Sequence, residues 1–361
     1  MKICIVSAVN IKHMSMVTFY TDYFKNNNIS YDLIYFDKYG VEESIGEQNK
    51  YVYRCEFSKN TKKIQKIKEY YKYKKFASKI LLNNDYDFIV LWNDLAIHLL
   101  GSFLSDNFPN RYCVNIRDYF GQDIPLISKN VKKAVRNSSF NTVSSKGYEE
   151  FLPPEKYYMM HSIIGQVSTD IESTVKEKSS FPLKLSFVGN IRFFEQNKRI
   201  LDIFKNNKKF QLQYFGTNAN VLKEYCEINS IYNAEFHDSF DLSETSFYVK
   251  KGDLVNNIYG KKDKILNHSI SIKLYHSVLA KQPIIAMNDT YIGNLVQKYS
   301  LGFVIDHLNH DLPALIEKWY SNLNYEEYLK SCKKFIEEAR MENQVINELL
   351  DSNLRKIKNK G

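Results

Sequence analysis

The chain of 361 residues has little cysteine and no long apolar run, and each shortage removes a class of protein. Its five cysteines, Cys4, Cys55, Cys113, Cys226 and Cys332, are odd in number and form no C-x-x-C pair, which argues against a disulfide frame and a zinc site. No run approaches the ~18 apolar residues that a membrane span needs. The opening Met1-Lys2-Ile3-Cys4-Ile5-Val6-Ser7 is too short in its apolar part for a signal peptide and reads as a first strand. The expectation is a cytoplasmic protein. Internal repeats, low-complexity tracts and G-x-G-x-x-G are also missing. No base-reading motif is apparent and the tyrosines are too evenly spread to count as stacking platforms, so no nucleic-acid partner is expected.

What is present is ordinary for a globular protein: 44% hydrophobic and 25% charged residues. The length exceeds what one core usually holds, so about two domains of roughly 150–180 residues are expected. The net charge of +9 is uneven, because residues 59–79 hold nine lysines against the single acid Glu69. Ile64, Ile67 and Tyr71 give this segment a helical apolar line that Phe76 and Ile80 do not continue. It reads either as a solvated surface helix or as a membrane-adsorbing one, in which Lys62, Lys63, Lys66, Lys72, Lys74 and Lys75 meet anionic lipid.

Strand and helix signals alternate along the chain. Strands are expected at 2–7, 30–36, 87–92, 111–116, 141–144 and 156–161, a helix at 15–26 and the lysine helix ending near 82, with 37–58 a long loop. Residues 162–182 lose apolar period and read as the interdomain linker, set at 165–182. Strands follow at 183–188, 210–215, 234–237 and 253–258, with helices from about 197 and at 218–228. The best-defined stretch is 264–305: helix 271–280, a turn at Lys281-Gln282-Pro283, strand 284–287, helix 290–299 and strand 303–305. The unbroken apolar run at 284–286 is typical of a strand covered on both faces. The tail 325–357 reads as helical. The chain is therefore α/β, with two doubly wound sheets, and such sheets bind ligands at the carboxyl ends of their strands.

The segment ending in Val278-Leu279-Ala280-Lys281-Gln282-Pro283, followed by an aliphatic strand, a polar loop and a helix stopped by Gly302, resembles the donor-binding segment of GT-B glycosyltransferases of the family-4-like group. Ser271-Ile272-Lys273-Leu274-Tyr275 is similar to the variant found in bacterial capsule and exopolysaccharide clusters. The resemblance implies two Rossmann-like domains facing a cleft: 1–164 for the acceptor, 183–340 for the nucleotide sugar, and a last helix, 341–361, that crosses back to the first domain. Family-4 enzymes usually carry two glutamates here with seven residues between them; aligned back from Pro283, those positions hold His268 and His276. A neutral imidazole donates at one nitrogen and accepts at the other, where a carboxylate only accepts.

Candidate donor residues follow from position and charge. Gly189 directly after a strand allows close backbone approach to a phosphate, and Arg192 and Lys198 could neutralise a diphosphate; a surface turn with solvated cations competes. Lys273 in the first turn of its helix is the electrostatically wrong choice unless an anion binds there. His276 could contact ribose or sugar hydroxyls, or be a buried histidine satisfied by carbonyls. Asn288 and Thr290 flank the loop after strand 284–287, where Asp289 reads as a plain helix cap. Gly216 and His237 end strands that border the base in such folds. In the first domain, His13, Asp94 and Asp118 are candidates for a general base and Arg117 for acceptor binding, although Arg117-Asp118 also reads as an internal ion pair. Leu274 and Tyr275 read as core.

These readings lead to one expectation: transfer of a hexose from a nucleotide-diphosphate sugar, UDP-linked, to a saccharide acceptor, lipid-linked, in polysaccharide assembly at the inner membrane face, with no cofactor or metal. A nucleotide-sugar epimerase of the same fold and a non-catalytic basic binding protein are the alternatives.

Overall fold

A computed structural model describes residues 1–58, 60–163, 165–173, 176–259 and 263–359. The chain divides into two compact units, Met1–His161 with Met341–Gly361, and Ser162–Arg340.

Unit 1 contains β1 (Ile3–Ser7), α1 (Thr18–Asn26), β2 (Tyr31–Asp37), β3 (Asn49–Arg54), α2 (Lys63–Asn84), β4 (Phe88–Trp92), α3 (Asp94–Asn107), β5 (Tyr112–Ile116), α4 (Pro125–Arg136), β6 (Phe140–Val143) and β7 (Tyr157–Met159). Its strands form one parallel sheet in the order β3-β2-β1-β4-β5-β6-β7. Strands β1, β2, β4 and β5 are buried at every residue, as apolar strands under helices on both faces must be. The stretch 37–58, expected as a loop, carries the edge strand β3. Its residues are half-buried or exposed, so neither alternation nor an apolar run marks it in the sequence.

α2 packs through Tyr73, Ala77 and Leu81, four residues apart each time. The apolar line Ile64, Ile67 and Tyr71 is the exposed side of that helix. Lys59, the first lysine of the basic segment, lies outside the described residues.

Unit 2 contains α5 (Gly165–Glu172), β8 (Leu183–Val188), α6 (Phe194–Ile203), β9 (Phe210–Phe215), α7 (Ala219–Ile228), β10 (Ala234–His237), α8 (Thr245–Lys250), β11 (Leu254–Asn257), α9 (Lys264–His268), α10 (Ile272–Leu279), β12 (Ile284–Met287), α11 (Tyr291–Tyr299), β13 (Gly302–Ile305) and α12 (Leu312–Ser321). Its sheet is parallel, in the order β10-β9-β8-β11-β12-β13. The expected linker is instead part of this unit. Ile163, Val167 and Ile171 repeat every four residues and pack on the cluster that holds Leu274 and Tyr275, both buried as expected. Three apolar residues in a polar stretch are too few to show a period in the sequence. The last helix, α13 (Tyr325–Lys358), belongs to unit 2 up to Arg340 and to unit 1 from Met341. In unit 1, Asn343 clasps the backbone of His161, accepting from its N–H at 2.8 Å and donating to its carbonyl at 3.0 Å.

Candidate functional site

In unit 2 the strand order reverses between β8 and β11, with β9 and β10 on one side and β12 and β13 on the other. The crevice outside the carboxyl ends at such a reversal is where open α/β sheets take ligands. Gly189 follows β8 with φ +127° and Gly216 follows β9 with φ +133°, a backbone region that side chains disfavour. The two are pressed together: a Cβ at Gly216 would lie 2.1 Å from the Gly189 carbonyl oxygen. The edge is therefore bare backbone.

Lys273 closes this edge from α10. Ser271 caps the helix, its Oγ accepting from the Lys273 N–H at 3.2 Å, so Lys273 stands in the first turn. Although its neighbour Ile272 is exposed, Lys273 is buried, at 6%. Its Nζ donates to the Tyr259 hydroxyl at 2.5 Å, lies 4.0 Å from the centre of the Phe187 ring, and is 3.7 Å from where a Cβ on Gly189 would be. Among the described residues no carboxylate pairs with it. An ammonium taken out of water without a counter-ion costs several kcal/mol, of which a ring face returns roughly 2. The positive end of α10 adds charge of the same sign.

His276, one turn further along α10, is also buried, and its Nδ1 has no hydrogen-bond partner among the described residues. Burial, with Lys273 adding to it, lowers its pKa to about 4, so the ring is neutral at neutral pH. It lines a cavity of about 10 Å³, roughly one water in size, together with Ser186, Lys273 and Gln282. The Oε1 of Gln282 and the Oδ1 of Asn257, at the end of β11, are likewise buried without partners among the described residues.

The remaining donor candidates are placed differently. Arg192 is exposed, its guanidinium 5.7 Å from the centre of the Phe193 ring, and Phe193 in turn packs on Tyr259 at 5.6 Å. Lys198 turns away along α6, pairing with Glu195 at 2.9 Å and lying over the Tyr225 ring of α7. The cap of α11 is Thr290, not Asp289: its Oγ1 accepts from Gly293 N–H at 3.0 Å and donates to the Met287 carbonyl at 2.7 Å. Asn288 donates to Asp306 at 2.7 Å. The His237 ring stacks on Tyr248, centroids 4.9 Å apart. His268 ends α9, where its Nδ1 meets the Lys264 carbonyl at 2.7 Å.

In unit 1 the reversal falls between β1 and β4. Asn10, fully buried after β1, donates to Asp37 at 2.8 Å and Glu43 at 2.9 Å and accepts from the Lys38 N–H at 2.9 Å. His13, exposed, meets the Tyr39 hydroxyl at 3.0 Å; partial burial, then Lys12 and Lys38, hold its pKa below the ordinary histidine value. Asp94 is buried, and its oxygens accept from the N–H groups of Arg117 and Asp118 at 2.9 and 2.8 Å and from Gln122 at 2.8 Å. Burial pushes its pKa up to about 7, against the pull of those backbone donors. It holds the turn that carries Arg117 and Asp118. Asp118 in turn accepts from the Tyr148 hydroxyl at 3.0 Å. The chain's Asp-x-Asp, Asp85-Tyr86-Asp87, lies before β4, at the amino edge of the sheet. There Asp85 pairs with Arg111 at 3.0 Å and Asp87 accepts from the Lys2 N–H at 2.6 Å.

Phe187, Tyr259 and Asn257 are absent from the sequence-derived set. The paired asparagines Asn256-Asn257 at the end of an apolar strand were the available signal, since buried amides at a strand's carboxyl end need a reason.

No family model matches the chain, and no curated protein matches it by sequence. Solved structures match along nearly its whole length. A sucrose-phosphate synthase from Thermosynechococcus elongatus is 10% identical over 100% of both chains, with a TM-score of 0.67. Anabaena Alr3699/HepE, solved in complex with UDP and glucose, is 13% identical over 98% of this chain and 100% of its own, with a TM-score of 0.65. A UDP-GlcNAc 2-epimerase from Neisseria meningitidis, solved with UDP-GlcNAc, is 12% identical over 94% and 100%, with a TM-score of 0.55. With its two parallel sheets of seven and six strands, the chain has the GT-B fold, built from two Rossmann-like units.

Proposed function

We propose that the chain is a glycosyltransferase whose unit 2 holds a nucleoside-diphosphate sugar, UDP-linked, and whose unit 1 holds a saccharide acceptor. One observation carries the reading: the buried ammonium of Lys273, unpaired among the described residues, stands beside the bare backbone of Gly189 at the sheet reversal. A diphosphate supplies the missing counter-charge, and the peptide edge at Gly189 and Gly216 lets it come close. In the transfer, an acceptor oxygen forms a bond to the anomeric carbon while the bond from that carbon to the β-phosphate oxygen breaks. The nucleoside diphosphate leaves with the electron pair, and Lys273 stabilises the charge that collects on it. Arg192 is a second cation for the same group. Neutral His276 offers a hydrogen bond to a hydroxyl without adding charge. On the acceptor side His13, exposed and neutral, is the group able to take a proton if the transfer inverts.

The cationic side chain does the work a metal-bound diphosphate needs a divalent ion for, so turnover is proposed to be metal-independent. The acceptor is proposed to be a lipid-linked saccharide of capsule or exopolysaccharide assembly, presented at the inner membrane face to which the lysines of α2 adsorb. No helix among the described residues is long and apolar enough to cross a membrane.

Thermal-shift titration with UDP-, GDP- and dTDP-sugars tests the donor. At ~100 times its dissociation constant the true donor adds about 2.7 kcal/mol of stability. Sugar release that requires a saccharide acceptor, unchanged by EDTA, supports a transferase. Conversion of the nucleotide sugar without any acceptor would instead make the chain an epimerase.

A further inference from the structure

The surface of unit 1 carries a second basic and apolar element that the donor chemistry does not use. Helices α2, α3 and α4 follow β3, β4 and β5, and each leads to a strand further along the sheet in the same direction. Right-handed crossovers then place all three on one face, and α3 packs against both of the others. The outer stripe of α4 is Pro125, Lys129, Lys132 and Arg136, spaced by four, three and four residues, while Val131, Ala134 and Val135 face inward. A groove of about 730 Å³ runs along it, its lining including Lys129, Lys132 and Lys133.

Two observations set this face apart from an ordinary solvated helix. First, Lys129 and Lys132, like Lys62, Lys63, Lys66, Lys74, Lys75 and Lys79 of the α2 segment, form no ion pair among the described residues, whereas Lys133 and Arg136 pair with Asp106 and Glu155. Second, large aliphatic side chains stand among these cations in water: Leu126 is 64% and Ile124 51% exposed at the start of α4, and Ile64 is 68% exposed on α2. Phosphates of a nucleic acid would answer the lysines and leave the aliphatic groups wet. A bilayer answers both, with anionic headgroups at the lysines and the acyl boundary at the aliphatic tips.

We propose that the start of α4 is a membrane-inserting edge: Ile124 and Leu126 enter the acyl boundary of an anionic bilayer while Lys129 and Lys132, with the α2 lysines, bind its headgroups. This deepens the membrane partner proposed above and is independent of the donor site.

The test is co-sedimentation of the full chain with phosphatidylglycerol-containing and pure phosphatidylcholine vesicles, with melting temperature and UDP affinity measured in parallel. Wild type should partition to the anionic vesicles alone. Ile124→Ser with Leu126→Ser should weaken partitioning about tenfold at both low and high salt. Lys129→Gln with Lys132→Gln should weaken it by roughly tenfold at low salt and much less at high salt. Leu126→Gln alone should give a smaller loss in the same direction with the melting temperature unchanged. UDP affinity should stay constant throughout. Partitioning of the Ile124/Leu126 variants equal to wild type overturns the proposal, as does release of wild type from the vesicles by duplex DNA at physiological salt. Failure of wild type to bind UDP would sink the donor reading and leave this result standing.

Discussion

The two sheet reversals share an architecture and differ in how their polar groups are satisfied. In unit 1, Asn10 spends its donors on Asp37 and Glu43 and its acceptor on Lys38, while Asp94 is occupied by Arg117, Asp118 and Gln122. In unit 2, Lys273 has a phenol and two ring faces for company, and among the described residues the buried Nδ1 of His276 and Oδ1 of Asn257 have no partner. The Oδ2 of Asp37 accepts no hydrogen bond among the described residues but faces Arg54 at 3.6 Å, so the unit 1 network keeps its charge paired and gains little from an anion. An unpaired buried charge stores a desolvation cost that an anion can relieve. The proposed donor site rests on this difference between the two reversals.

The largest expected effect concerns the backbone on which this contrast rests. Gly216→Ala sets a methyl against the Gly189 carbonyl at a positive φ, so stability should fall by 3 kcal/mol or more, on the order of a severe core substitution, in a denaturant melt. A melt close to wild type would mean that the edge is less tightly built.

His276 gives the next effect, and its sign can be worked out. The folded pKa of about 4 lies below the ordinary histidine value of 6.5, so between those pH values the unfolded chain binds a proton that the folded chain refuses. Stability should therefore drop as pH falls through that window, by on the order of 3 kcal/mol in full. His276→Gln should flatten this part of the stability-versus-pH curve, and an unchanged slope would show that the ring is already protonated or solvated.

Asn10→Ala probes the other reversal. It takes one donor from each of Asp37 and Glu43, which keep backbone N–H donors, and leaves the Lys38 N–H without its acceptor, which should cost about 2 kcal/mol while UDP affinity holds. Loss of UDP affinity without loss of stability would erase the distinction between the two sites. The smallest effect belongs to Lys198→Ala. Because this lysine is turned toward Glu195 and Tyr225, UDP affinity should change by no more than about threefold, the scale of an exposed ion pair.

Much of the fold was legible because buried parallel strands announce themselves: Ile284, Ile285 and Ala286 admit no polar face, and the turn through Lys281-Gln282-Pro283 marks where α10 stops. β3 was not legible, since an edge strand with half-exposed residues shows no pattern. α5 was hidden because Val167 and Ile171 are its only apolar residues. α2 was read by its exposed line because aromatic and aliphatic residues occur on both sides of it, and only tertiary contacts decide which side is buried. At the site, the place of Lys273 in the first turn of its helix followed from Ser271 before it. That its ammonium meets Phe187 and Tyr259 could not be read, because those residues lie far away in sequence. The direction taken by Lys198 depends on a rotamer, which spacing does not fix.

The central claim is that Lys273 is a buried cation awaiting a diphosphate, and calorimetric titration of wild type and Lys273→Ala with uridine and with UDP tests it most directly. The account predicts that uridine affinity is nearly the same in both proteins while UDP affinity, and turnover with a UDP-sugar, fall on the order of 10²-fold in the variant. Equal UDP affinity in the two proteins, with the variant folded and no less stable, would contradict it.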